Sequence, residues 1–417
     1  MKRWSIVLFL IFAFGFSSLS YAADSGSELK DPQDTAKNDE KLADEPQEQK
    51  ATGLFGSSAL MNPNISLVLN VFGYASNLSK QELELSGIPG YTNIGLDYKK
   101  GFNLDSAELY LYAPVDPYFN LYTTIPVTES GAEVEEAYFV TTFLPYGLQI
   151  KGGKFKSSFG RINSQHSHVW DFADIPLVYE AFTGKEGIDE IGAQITYLPS
   201  LPFYLLLGAE VLQGENEVLF GANAKAGPHA YTFFAKVSLD LTDNSTVVFG
   251  PSAMTGNTDT TSIADNTEFR GTSTLGGFEF TYKWKPSRKK SLTVQSEYLI
   301  RGQSGQLENT DTLTSEPLKR IQDGLYIQSV YQMGRWRLGG RYDALELLKS
   351  DYILLGTNQN FGKKPWRASA MIDFSPTEFS RIRLQYNYGR SAPGGKTNQE
   401  FFLQVILGIG AHAAHPF

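Results

Sequence analysis

The 417-residue sequence contains no cysteine. That excludes a disulfide framework, thiolate metal sites, a cysteine nucleophile and a lipid-modified amino-terminal cysteine. Charge is scarce as well: Asp, Glu, Lys and Arg make up 19% of residues, below the roughly one quarter usual in globular domains. A net charge of −9 lacks the basic footprint of a nucleic-acid binder, so no nucleic-acid partner is expected. After the first residues no apolar run reaches the ~18 residues of a membrane helix. Enzyme signatures are absent too: there is no phosphate-cradling glycine loop, no nucleophile elbow and no His-Glu-x-x-His motif. No strand-like segment sets Ser and His on one exposed face as a barrel lipase requires, and neither enzymatic activity nor a cofactor is expected. What abounds is aromatic and glycine content, with 28 Phe, 22 Tyr, 5 Trp and 39 Gly. Such a composition suits a β-structure with lipid on one side and water on the other.

The chain starts Met1-Lys2-Arg3, continues with an almost unbroken apolar run from Trp4 to Phe16, and reaches Ser20-Tyr21-Ala22 before Ala23. A positive start, a short apolar core and a small-residue cleavage site read as a secretory signal peptide over 1–22. Residues 23–52 hold nine acids, four lysines and no aromatic. A segment of that kind cannot bury enough apolar surface to offset its ordering entropy, which predicts a disordered acidic periplasmic tail.

From residue 53 to 417 the recurring pattern is alternation in segments of about ten residues. Between Phe379 and Tyr388, Arg381, Arg383, Gln385 and Asn387 take one face, while Ile382, Leu384, Tyr386 and Tyr388 take the other. Phe278 to Trp284, Tyr231 to Leu239 and Trp336 to Tyr342 repeat it, and aromatics gather near the segment ends. Sixteen such segments can be counted. Short connections such as Val115-Asp116-Pro117, Thr242-Asp243-Asn244 and Ser375-Pro376-Thr377 alternate with longer ones, near 76–101, 158–187, 213–227, 255–270, 304–321 and 349–364. The expected fold is all-β: a transmembrane antiparallel β-barrel of about 16 strands with short periplasmic turns and longer outer loops, set in outer-membrane lipid. The terminal Phe417 falls in register with the apolar face of the last segment and is expected to serve as the signal read by the outer-membrane assembly machinery.

With the non-apolar face turned inward, Lys154, Lys156, Arg337, Arg341, Arg367, Arg381 and Arg383 are expected to line the pore. The five arginines fall on three successive strands, the thirteenth to the fifteenth. A wall of Arg and Lys lowers the barrier to small anions, alongside neutral solutes. The 158–187 loop is unusually apolar for an outer loop, with Trp170, Phe172, Ile175, Leu177, Val178 and Phe182. It is expected to fold inward as a constriction, so that Asp171, Asp174 and Glu180 face the arginines and set up a transverse field across a narrowed pore. His166 and His168 in the same loop point the same way on an extended chain. With Asp171 or Asp174 they offer too few donors for a secure metal site, so hydrogen bonding within the loop is the expectation and no metal is assigned.

The run Gly152-Gly153-Lys154-Phe155-Lys156-Ser157-Ser158-Phe159-Gly160, followed by Arg161-Ile162-Asn163, resembles the phosphate-selective porin O/P superfamily. The preceding Val134-Glu135-Glu136-Ala137-Tyr138 and the Asp116-Pro117-Tyr118 turn are similar to members called zinc-regulated TonB-dependent outer membrane receptors. That resemblance implies a sixteen-stranded porin, commonly a homotrimer, passing small anions. Its alternative implication is an uptake receptor barrel for a metal complex. Receptors of that type carry a plug domain of their own, which the 30 polar residues at 23–52 cannot supply.

Overall fold

The computed structural model describes residues 63–84, 87–92, 98–221, 227–264, 267–391 and 395–410. The leader at 1–22, the tail at 23–52 and Phe417 lie outside the described residues.

Sixteen antiparallel strands follow one another around a closed barrel. In chain order they are β1 (Asn64–Ser76), β2 (Gly101–Pro114), β3 (Phe119–Thr128), β4 (Gly131–Ala132 and Glu136–Thr141), β5 (Leu148–Lys156), β6 (Asp189–Tyr197), β7 (Tyr204–Leu212) and β8 (Ala230–Thr242). They continue as β9 (Ser245–Ala264), β10 (Thr267–Ser287), β11 (Lys290–Asn309), β12 (Thr314–Met333), β13 (Trp336–Leu354), β14 (Thr357–Asn358 and Trp366–Thr377), β15 (Ser380–Arg390) and β16 (Asn398–Gly410). β4 and β14 are each interrupted, with both pieces paired to the preceding strand. β16 returns to β1, with Ser66 opposite Gly410 and Ala75 opposite Phe401, so no strand edge is left unpaired at the seam. Among the described residues two short α-helices interrupt the β-structure, α1 (Lys80–Glu84) and α2 (Leu177–Thr183).

Alternation accounts for the two surfaces. Ile195, Leu207, Ile327, Leu338, Leu384 and Leu403 stand exposed on the outside. Tyr204, Trp284, Trp336 and Phe379 ring that band near the short turns, and Tyr231, Tyr342, Tyr388 and Phe401 ring it further up. The aromatics do not all belong to these girdles. Tyr112, Tyr122 and Tyr138 share the inner face of β2 to β4, with ring centroids 5.0 Å apart at both contacts.

Two of the expected long loops, and the first part of a third, are strand instead. Thr255 lies opposite Thr274, Gly305 opposite Leu318 and Lys319 opposite Ile353, so most of 255–270, 304–321 and 349–354 extends the ladders. β9 to β13 run 19 to 21 residues, about twice the 9–11 that cross a bilayer. Beyond the apolar band the outward face of a strand is polar as well, while the inner face stays covered, as at Gly256 and Thr258. The alternation that marks a spanning segment then disappears, while Thr-rich stretches such as Thr255-Gly256-Asn257-Thr258 keep their preference for extended backbone.

An apolar core fills part of the interior. Phe159, Ile162, Leu177, Val178, Tyr179 and Phe182 of the 158–187 loop pack with Leu212, Met254, Leu275, Leu299, Tyr326 and Leu345 of the wall. Ile88, Tyr91, Leu219 and Phe220, from two other outer loops, join the same cluster.

Candidate functional site

The 158–187 loop enters the barrel through a series of carboxylates aimed at its backbone. The Ser157 hydroxyl donates to Glu210 of β7, whose other oxygen accepts from Ser158 N at 2.8 Å. Gly160 then adopts φ 61°, where a Cβ would come within 2.3 Å of Glu297 Oε2 and Tyr179 Oη. Only glycine allows this approach. Glu297 of β11 accepts from Arg161 N at 2.9 Å, Ile162 N at 3.1 Å, Tyr179 Oη at 2.6 Å and Tyr326 Oη at 2.7 Å. A buried carboxylate satisfied by four donors fixes the descending chain against the wall.

On the far side the loop meets the arginines of β13 to β15. Arg337 Nη1 donates to Asp171 Oδ1 at 2.7 Å and its Nε to Asp373 at 3.0 Å. Arg341 holds Asp174 Oδ1 at 2.9 Å, the Asp174 carbonyl at 2.8 Å and Asp343 at 2.9 Å. Arg367 reaches Asp174 Oδ2 and Glu180 Oε2, each at 3.2 Å, and Arg383 donates to the Trp170 carbonyl at 2.8 Å. Asp174 also accepts from Gln385 at 2.6 Å and Asn387 at 2.9 Å. Burial would raise the Asp174 carboxyl, but Arg341 and Arg367 outweigh it and hold the group below its usual range. Glu180 goes the other way, pushed up to about 7 by burial and by the neighbouring Glu400, Asp174 and Asp343 against the pull of Arg367.

These contacts correct the expected pore lining. Arg341, Arg367 and Arg383 are 4%, 4% and 0% exposed. They are covered by the loop and do not face it across water, so the acids neutralise the wall where a transverse field was expected. Lys154 lies opposite Ile191, on the outward face, with its ammonium on the Val134 carbonyl and Asp189. Polarity assigned it to the lumen, but at the outer rim the outward face is polar too. Lys156 is buried on Glu135, 2.7 Å away. The lysine that β5 does turn inward is Lys151, over the Tyr138 ring at 4.8 Å.

Basic groups that keep some exposure sit around Asp171. Arg337 is partly exposed, and so are Arg161, Lys283 and Arg381. Arg381 lies in the field of Arg337, Asp373 and Asp171, and its Nε and Nη1 make no hydrogen bond to the protein. Nothing in spacing distinguished these groups from the buried arginines. Only the depth of each residue along its strand relative to the loop does so.

The amino-terminal half of the loop is anchored with reversed polarity. Short 3-10 turns, Ile162–Ser164 and Ser167–Val169, bring His166 and His168 against β2 and β4. His166 Nδ1 lies 3.1 Å from Glu135 Oε2 and its Nε2 2.9 Å from Glu136 Oε2. Glu108 Oε2 stands 3.5 Å from His166 Nδ1 and 3.3 Å from His168 Nδ1. Adjacent residues on a regular strand would diverge, but Glu135 falls in the break between the two pieces of β4, so both it and Glu136 turn to the imidazole. The histidines bond to the wall where hydrogen bonding within the loop was expected, and Asp171 and Asp174 are on Arg337 and Arg341. Burial works against a charge on His166, but hydrogen bonds to Glu135 and Glu136 and the field of Glu108 hold its basicity well above the ordinary value.

No family model matches the chain. Among solved structures it is similar to the outer membrane channel DcaP of Acinetobacter baumannii, with a TM-score of 0.55 at 12% identity over 86% of this chain and 100% of that one. OmpT, an outer membrane protein of Vibrio cholerae, gives 0.53 at 11% identity over 86% and 100%. The anion-selective porin from Comamonas acidovorans gives 0.52 at 8% identity over 84% and 99%. At these identities the likeness establishes the barrel fold. A protein of Aquifex aeolicus (strain VF5), described as uncharacterized, is 43% identical over 380 residues, 85% of this chain and 80% of its own length. The chain belongs to one family with that Aquifex aeolicus protein, a family built on the sixteen-stranded antiparallel barrel.

Proposed function

We propose that the protein is an outer-membrane porin, inserted in lipid by the assembly machinery, that lets small hydrophilic solutes diffuse passively with a mild preference for anions. The observation that carries this reading is the partly exposed basic group around Asp171: Arg161, Lys283, Arg337 and Arg381 inside a closed barrel with an apolar exterior. Positive charge that keeps some exposure to the lumen lowers the local potential barrier for an anion that has shed part of its water. The names of the DcaP channel and of the anion-selective porin agree with a channel role. The resemblance to phosphate-selective porins supports a homotrimer, which chemical cross-linking in outer membranes tests. Reversal potential in a salt gradient across a planar bilayer tests the selectivity. The expected sign is anion-selective, and R381Q with K283Q should move it toward zero; a cation-selective wild type would sink the reading.

One feature favours a second reading. The apolar cluster that the loop builds inside the barrel is what a gated uptake barrel with an internal plug would show, and a metal complex is its substrate class. Single-channel recording separates the two, because a porin gives steady ohmic conductance whereas a gated barrel stays closed.

A further inference from the structure

The histidine anchor has the geometry of a metal site. Three donor atoms converge there, His166 Nδ1, Glu108 Oε2 and Glu135 Oε2, and His168 Nδ1 stands beside the same Glu108 oxygen. The separations are 3.1 Å from His166 to Glu135, 3.5 Å from His166 to Glu108 and 3.3 Å from His168 to Glu108. Donors held at ~2.0–2.1 Å around a tetrahedral zinc ion stand about 3.3 Å from one another. The ligating atoms of Glu108, Glu135 and His166 all lie within 4.8 Å of each other, and His168 has to move further to join them. The two imidazole rings are nearly parallel, 19° apart with centroids at 5.9 Å, and both turn Nδ1 to the same Glu108 oxygen.

The surroundings complete the arrangement. Glu136 Oε2 sits 2.9 Å from His166 Nε2, the position of the carboxylate that orients a metal-bound imidazole and directs its other nitrogen to the ion. Three carboxylates gather with one ammonium, Lys156, and two imidazoles, so a dication brings the buried group close to neutrality. Two nitrogen donors disfavour calcium and magnesium, which take oxygen ligands in larger number.

We propose that Glu108, Glu135, His166 and His168 form a site for a zinc-type divalent cation that clamps the amino-terminal half of the inward loop to β2 and β4. It holds under either reading of how solutes pass. Once His168 turns onto the ion, four protein donors close the coordination sphere, so the ion is structural, and its removal loosens the loop at that anchor.

The test uses the whole mature protein refolded in detergent and stripped with EDTA. Zinc titrated against a chromophoric chelator should bind with one equivalent per chain, and cobalt in its place should give the intense visible absorption of tetrahedral coordination. H166A with H168A should abolish both signals. E136Q, which keeps all four ligands, should weaken binding by roughly 10–100-fold. Barrel integrity of each variant is checked by its heat-dependent mobility on gels. Should H166A with H168A fail to fold, E136Q and the cobalt spectrum of the wild type still decide. Stoichiometry below one half, an octahedral cobalt spectrum, or unchanged binding in a folded H166A/H168A variant would overturn the proposal.

Discussion

The two anchors of the inward loop differ in polarity and in redundancy. On β13 to β15 the wall is basic and the loop brings the acids. On β2 and β4 the wall is acidic and the loop brings imidazoles. The basic side is a lattice: Asp174 accepts from Arg341, Arg367, Gln385 and Asn387, and Asp343 accepts from Arg341 and from Leu177 N at 2.9 Å. At the acidic side most of the contacts to Glu108, Glu135 and Glu136 fall on His166, with His168 on Glu108 and with Ser167 and Lys185 on Asp105 beside them. Asp174 at the centre of the lattice stays ionised at physiological pH, with Glu180 at its margin the group that titrates, whereas a centre of imidazoles and carboxylates changes strength with what occupies it. One loop is thus fastened rigidly on one wall and conditionally on the other.

The largest effect should come from D174A, which breaks the lattice at its centre. Removing one partner of a buried charge cluster costs about 3–5 kcal/mol. Conductance in planar bilayers should rise several-fold, and residues 170–183 should become open to protease; a variant as closed and resistant as wild type would mean that the arginine anchor does not hold the loop. H166A, measured in EDTA, should cost on the order of 2 kcal/mol, the worth of hydrogen bonds to charged groups. Its proteolytic cut should shift to residues 162–169 while the β13 side stays protected. Cleavage on both sides at once would show that the anchors are coupled and erase the contrast drawn above.

A smaller effect concerns pH. The Glu180 carboxyl titrates near 7 when the loop is docked, against 4.5 ordinarily, so the docked loop holds a proton that the released loop gives up. Docking is therefore favoured at acid pH and weakens as pH rises from about 4.5 through 7. E180Q should flatten this dependence in channel noise recorded between pH 5 and 8; an unaltered profile would assign it to another group. Smallest of all is K154Q. Because Lys154 shares the outward face with Ile191, reversal potential should not move, and a clear shift would return this lysine to the channel wall.

Strand number and order were legible because period-two alternation records which face meets lipid, as in Ile382, Leu384 and Tyr388. Where lipid ends the record ends, which is why the upper parts of β9 to β13 read as loops and Lys154 was turned inward. Inward folding of 158–187 was legible from its surplus of apolar residues. Burial of Arg341, Arg367 and Arg383 was not, since a guanidinium in water and one covered by a carboxylate have the same place in an alternating pattern. Glu135 was hidden for a related reason: only the break in β4 brings it round beside Glu136.

Glu297 carries one more consequence, for how the molecule is built. It lies on β11, yet it holds the chain that follows β5, and that same chain goes on to Arg383 of β15. The loop therefore belongs to early and late strands alike, and it fills the space around which β1 and β16 meet. Closure of the cylinder and seating of its contents are therefore linked, because each is stabilised by contacts that the other brings into place.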